Sequence, residues 1–139
     1  MHKLITLAAG LLLSLSVAAE QKITSGALDI HYIVFNSSFL QPDIAKASGL
    51  ERSKNVAVLN VSPLRDGKGE KSTVTGQMLN LMSQSKTLQF REIDEGNAVY
   101  YIAQFPIDGR ELLKFDIQLV DSEGTSHSLK FNQEVFPDL

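Results

Sequence analysis

Residues 111–120 constrain the fold more than any other part of the chain. Leu113, Phe115, Ile117 and Leu119 alternate there with Lys114, Asp116 and Gln118. A period of two lines the four apolar side chains along one face of a strand, whereas a helix would scatter them around its axis. A chain that carries such a segment must build a sheet with one buried face. It must also build a second layer to bury that face against.

The pattern recurs between turn signals. Leu28–Phe35 places Leu28, Ile30, Tyr32 and Val34 on one face and Asp29, His31, Ile33 and Phe35 on the other. Asn55–Val61 places Val56, Val58 and Asn60 opposite Ala57, Leu59 and Val61. Ser72–Met82 reads as a long strand in which Gly76 marks a bulge or a close backbone approach. Thr87–Ile93 reads as a strand with Leu88, Phe90 and the stem of Arg91 near the core, and Ala98–Phe105 as the next. His127–Phe136 closes the series with Leu129, Phe131 and Gln133 facing in. Asp66-Gly67, Asp94-Glu95-Gly96-Asn97, Pro106-Ile107-Asp108-Gly109 and Asp121-Ser122-Glu123-Gly124 supply the turns. Pro42 suits a first helical turn and Gly49 a helix stop, so the spacing predicts one short helical insert there. Phe39, Leu40 and Ile44 are expected to plug an end of the sheets. The prediction is a single all-β domain, an immunoglobulin-like antiparallel β-sandwich of about seven strands with one short helical insert. The Cys and Trp of antibody domains are absent, so only the architecture is predicted. A small barrel is the alternative.

The first residues point to export. Lys3 is followed by an uncharged run from Leu4 to Ala19, and Val17-Ala18-Ala19 fits a small-x-Ala cleavage site. The run is 16 residues long, short of the roughly 20 a spanning helix needs. Residues 1–19 therefore read as a cleaved secretory signal peptide and residues 20–139 as the β-sandwich domain. The chain has no cysteine, so a lipid anchor on Cys and disulfide staples are both excluded. Apolar packing and sheet hydrogen bonds must suffice, which a domain of this length allows. The formal charge of −3 becomes about −4 once Lys3 leaves, with the signs well mixed. That balance argues against nucleic acid and anionic membrane as partners.

The segments Phe39-Leu40-Gln41-Pro42-Asp43-Ile44-Ala45, Asn60-Val61-Ser62, Glu95-Gly96-Asn97-Ala98-Val99-Tyr100-Tyr101 and Leu129-Lys130-Phe131 carry a resemblance. Together with the leader, they resemble a domain-of-unknown-function family of small exported proteins from gammaproteobacteria, over the whole mature chain. The resemblance implies a Gram-negative source and a periplasmic address, and it implies no activity.

Candidate chemistry is sparse. There is no Cys, no Gly-x-Ser-x-Gly elbow and no phosphate loop. His31 on the first strand and His127 on the last would approach each other if those strands were neighbours, as in a two-histidine metal site. The alternative is two outward-facing polar positions, since metal sites gather three or more ligands. Met78 and Met82 carry copper-type thioethers, but four residues of extended strand separate them by about 13 Å. Glu92, Asp94 and Glu95 cluster at a turn without calcium-loop spacing. Tyr100 and Tyr101 are adjacent on one strand, so their rings point to opposite faces. One of them is a candidate surface anchor for a partner, unless it packs under the helical insert. The reading that follows is a non-catalytic periplasmic binding or interaction module, with no cofactor and another periplasmic or envelope protein as partner. A metal or small-ligand carrier is the alternative, and a small hydrolase stands third.

Overall fold

The computed structural model describes residues 20–138. The leader predicted over residues 1–19 lies outside the described residues. Ten strands form two antiparallel sheets packed face to face. They are β1 (Gln21–Ser25), β2 (Leu28–Asn36), β3 (Val56–Arg65), β4 (Lys68–Gly69), β5 (Thr73–Leu79), β6 (Ser85–Leu88), β7 (Arg91–Asp94), β8 (Val99–Pro106), β9 (Glu111–Val120) and β10 (Ser126–Val135). The larger sheet runs β1-β2-β3-β8-β7 with β4 attached to β3, and the smaller runs β10-β9-β5-β6. The fold class is the predicted one, a β-sandwich with a small helical insert.

The core lies where the alternation puts it. Leu113, Phe115, Ile117 and Leu119 of β9 face Leu28, Ile30 and Val34 of β2, Leu59 and Val61 of β3, and Ala103 and Phe105 of β8. A ladder of rings crosses between the sheets. Tyr32 meets Phe131 at 4.4 Å between centroids, Phe131 stacks on Phe115 at 4.8 Å, and Phe115 tilts against Phe105 at 5.7 Å. Gly76 marks a close approach, because a Cβ there would stand 2.6 Å from Ile117 Cδ1 and 2.9 Å from the Asp116 carbonyl.

Four expectations change. β1 precedes the first predicted strand, since Gln21–Ser25 has a single apolar residue, Ile23, and no readable alternation. The stretch read as one strand over Thr87–Ile93 is two. β6 ends at Leu88 in the smaller sheet, and β7 begins at Arg91 in the larger. The chain thereby closes one side of the sandwich covalently. β5 ends at Leu79, three residues before Met82, because Asn80 Oδ1 accepts the Met82 and Gln84 N–H groups, both at 2.9 Å, and folds the chain back. The helix α1 (Pro42–Ser48), preceded by a 3-10 turn at Ser37–Phe39, forms where predicted and stops at Gly49 in the left-handed conformation, φ 69°. It does not plug an end. It lies on the outer face of the larger sheet, where Leu40, Ala45 and Leu50 pack with Ile33, Phe35, Val58, Tyr100 and Ile102 in a second apolar cluster.

Among the described residues, no helix is long and apolar enough to cross a membrane.

Candidate functional site

The two ends of the sandwich differ in chemistry. At one end the β1–β2, β3–β4 and β9–β10 turns meet, and polar side chains pin them. Arg65 Nε donates to Glu70 Oε1 at 3.1 Å and Arg65 Nη2 to Asp121 Oδ2 at 3.1 Å. Glu70 also accepts the Ser122 N–H at 2.9 Å and the Ser122 hydroxyl. Asp121 accepts the N–H groups of Glu123 and Thr125 at 2.9 and 3.0 Å, and it meets His127 Nε2 at 2.9 Å. The far nitrogen of that ring, Nδ1, meets Ser25 Oγ at 2.8 Å. The hydrogen bond from His127, with those from the backbone, holds the Asp121 carboxyl below its usual range, at about 2. Hydrogen bonds from Arg65 and Ser122 likewise lower Glu70, and the Glu70 hydrogen bond raises Arg65.

Hydroxyl, imidazole and carboxylate stand here in the order of a hydrolytic triad. The same groups also belong to a structural network. Arg65 shares the Asp121 oxygen that faces His127, the imidazole is buried, and neither cavity at the opposite end reaches Ser25. The network ties the two sheets together and seals this end. Sequence reasoning missed it, because Ser25 and His127 are 102 residues apart and only the fold brings them together.

The opposite end is open. A groove of about 470 Å³ runs between the last residues of β2 and β10. Val34, Phe35, Ala57, Ile107 and Val135 form its apolar wall, and Gln21, Asn36 and Gln133 add side-chain amides. The segment after β10 crosses this end. The Asp138 N–H donates to the Lys54 carbonyl at 3.0 Å and the Asp138 carboxylate accepts from Ser38 Oγ at 2.7 Å. A second, polar cavity of about 220 Å³ lies beside it, lined by residues that include Asn80, Lys86, Asp108 and Glu111. Large apolar side chains reach solvent at the same end. Leu81 and Met82 on the β5–β6 turn are 73% and 75% exposed, and Phe136 is 56% exposed. Arg110 lies over the Phe136 ring, 5.5 Å from its centroid.

The residues singled out from sequence are placed differently. Tyr100 and Tyr101 do point to opposite faces, but both are buried. Tyr101 lies in the main core, where its hydroxyl donates to Glu92 at 2.8 Å and accepts the Ser72 N–H at 2.8 Å. Burial, with Glu92 beside it, pushes its phenol up to about 12. Tyr100 lies in the outer cluster with the helical insert, and burial raises its phenol too. Neither ring is the surface anchor anticipated, because the helix covers the face that a bare sandwich would leave open. His31 faces the outer side of the larger sheet beside Glu20, at 3.2 Å, while His127 faces the inter-sheet space. The two are not brought together. Met78 is buried in the core and Met82 is exposed. Among the described residues no three of His, Asp and Glu are placed to hold one metal ion. Phe136, Leu81 and Met82 were not singled out as a surface. The signal was available in part, since Met82 and Phe136 end predicted strands and Leu81 stands next to Met82.

A family described as a domain of unknown function, DUF4426, matches residues 22–138. A DUF4426 family protein from Pseudomonas aeruginosa PAO1 is similar in structure at TM-score 0.80, with 46% identity over 86% of this chain and 97% of that chain. FetP from uropathogenic Escherichia coli strain F11, recombinantly expressed in the periplasm of Escherichia coli BL21(DE3), is similar at TM-score 0.57, with 13% identity over 88% of this chain and 97% of that chain. A copper-bound variant of FetP is similar at TM-score 0.54, with 12% identity over 88% and 93%. These last two likenesses are of fold alone. No curated protein matches the chain.

Proposed function

The chain belongs to the DUF4426 family, a domain of unknown function, and from that premise we propose that it is a non-catalytic periplasmic binding module that holds an envelope or periplasmic protein at the open end of its sandwich. The observation that carries this reading is the exposed apolar side chains at that end, Phe136 on a groove of about 470 Å³ and Leu81 and Met82 on the β5–β6 turn. Clustered apolar exposure beside a concave surface is the usual mark of a recognition site. A leader-like first segment supports the periplasmic address, and so, more weakly, does the fold shared with FetP, which was recombinantly expressed in the periplasm.

The test is site-specific photo-crosslinking in cells. A photoreactive residue replaces Phe136 or Leu81 in one set, and Lys130 or Thr75 on the far face of the smaller sheet in the other. One dominant product from the first set, absent from the second, is the expected result. Equal or no capture from both sets would remove the open end as the site.

A second reading, a periplasmic copper carrier, draws support from the fold shared with copper-bound FetP. The donor chemistry does not favour it. Soft thioethers and imidazoles must converge on one ion, whereas His31, His127, Met78 and Met82 are dispersed. Titration of the purified chain with Cu(I), Cu(II) and Zn²⁺ decides it, and a dissociation constant no tighter than micromolar ends that reading.

A further inference from the structure

We propose that the occupant of the open-end groove is an extended peptide strand that pairs with the edge of β2 at Ile33–Asn36, on the line of β1. The proposal rests on the binding reading above and specifies the chemistry of its partner.

The register leaves this edge open. β3 pairs with β2 as far as Asn36↔Ala57, but β1 pairs with it only as far as Gln21↔Tyr32. Among the described residues, Ile33–Asn36 are therefore held on one side only. The groove reaches this edge. Its wall includes Val34, Phe35 and Asn36 in succession, and consecutive strand residues point to opposite faces. They can line one cavity together only where the strand presents its edge. In an antiparallel ladder every second residue turns its N–H and C=O to a given side. Two of these four residues thus turn both groups toward the line of β1. Another strand supplies both partners at matching spacing.

The edge also lacks the devices that keep sheets from pairing. Ile33-Val34-Phe35 carries no charge and no proline, whereas natural edges are normally blunted with one or the other. A small ligand fits less well, because the polar groups of the groove do not converge. Asn36, for example, already donates to the Lys54 carbonyl at 2.8 Å and accepts the Ser38 N–H at 2.9 Å.

Side-chain preferences follow from the register. The peptide residue opposite Val34 points between the sheets toward Ala57, Ile107 and Val135, so it is apolar. Its neighbours in the peptide point the other way, beside Phe35 and Phe39. Glu134 and Asp138 lie at the rim, and Arg110 stands 3.8 Å from Glu134. With a net negative chain around it, charge complementarity selects a neutral or basic peptide over an acidic one.

The chain from Glu20 to Leu139 is panned against displayed random nine-residue peptides, and the tightest peptide is remade with single N-methyl groups along its backbone. Strand pairing predicts alternation. N-methylation at every second position should weaken binding about ten-fold or more, and at the intervening positions little. Phe136→Ala in the protein should weaken every selected peptide. Tolerance of N-methylation at all positions, with Phe136→Ala still weakening binding, would overturn strand pairing while leaving the open end as the site. Selection of no peptide, or of peptides indifferent to both Phe136→Ala and Leu81→Ser, would overturn both. A dimer in solution that excludes the peptides would make a second copy the occupant and would likewise overturn the proposal.

Discussion

Asn60 is the residue at which this fold departs from ordinary packing. It sits 2% exposed on β3, in register with Ile33 on one side and Ile102 on the other. Its side-chain carbonyl has no hydrogen-bond partner among the described residues. A buried acceptor left unpaired loses its hydration without return. Asn60→Leu keeps the branched heavy-atom skeleton and removes the polar group, so it should raise stability by about 1 kcal/mol, read as a higher urea midpoint with unchanged slope. A fall in the midpoint would mean that the carbonyl is satisfied in solution. Asp121 gives the second residue-scale prediction. Its carboxyl titrates at about 2 in the folded chain against an ordinary 3.8. A lowered carboxyl stabilises the fold above the unfolded value and loses that contribution as pH falls through the folded value. The Asp121 contribution should therefore be whole above about pH 4 and fade toward pH 2, and Asp121→Asn should flatten the acid limb of a stability-against-pH curve. An unchanged acid limb in that variant would leave Glu70, also lowered by its partners, as the group responsible.

Among the elements, α1 shows how local signals and tertiary placement come apart. Its limits were legible, because Pro42 and Gly49 are conformational punctuation that acts within a few residues. Its docking was not, because it depends on the outer face of a sheet whose strands lie far apart in sequence. The alternation of β2 carried a hint. Its second face ends in Ile33 and Phe35, too apolar to meet water, and the helix with its flanking turns covers that end. The β6–β7 crossing was illegible for the same kind of reason, since Leu88 and Ile93 both look strand-like and nothing local says that they belong to different sheets. One side chain fastens the helix from outside its own element. Arg91 Nη1 donates to the Ser48 and Gly49 carbonyls, both at 2.6 Å, satisfying groups that a helix C-terminus leaves unpaired. Arg91→Ala should speed amide exchange from Ala45 to Leu50 while the β3 and β9 amides stay protected. Equal acceleration throughout would show instead that the helix and sheets open as one unit.

At the scale of the molecule, the proposed binding role would set recognition at one end of the sandwich, with the polar network that supports stability at the other. Strand periodicity foretold the sandwich, since each strand declares its buried face within its own residues. It was silent on the ends, where turns meet side chains from across the chain. At the sealed end, Arg65 neutralises two carboxylates that are otherwise buried. Removing one partner of such a cluster leaves uncompensated charge, the costly outcome for buried ion pairs. At the open end, Phe136 and Leu81 project into solvent, where substitution ordinarily changes stability by no more than about 0.5 kcal/mol. The two ends should therefore be separable. Arg65→Ala should lower the thermal midpoint yet leave capture through the open end intact below it. Phe136→Ser combined with Leu81→Ser should leave the midpoint in place and abolish capture. Thermal unfolding and crosslinking yield, measured on both variants, decide the matter. Loss of capture in Arg65→Ala while it is still folded would mean that the two ends communicate through the sheets.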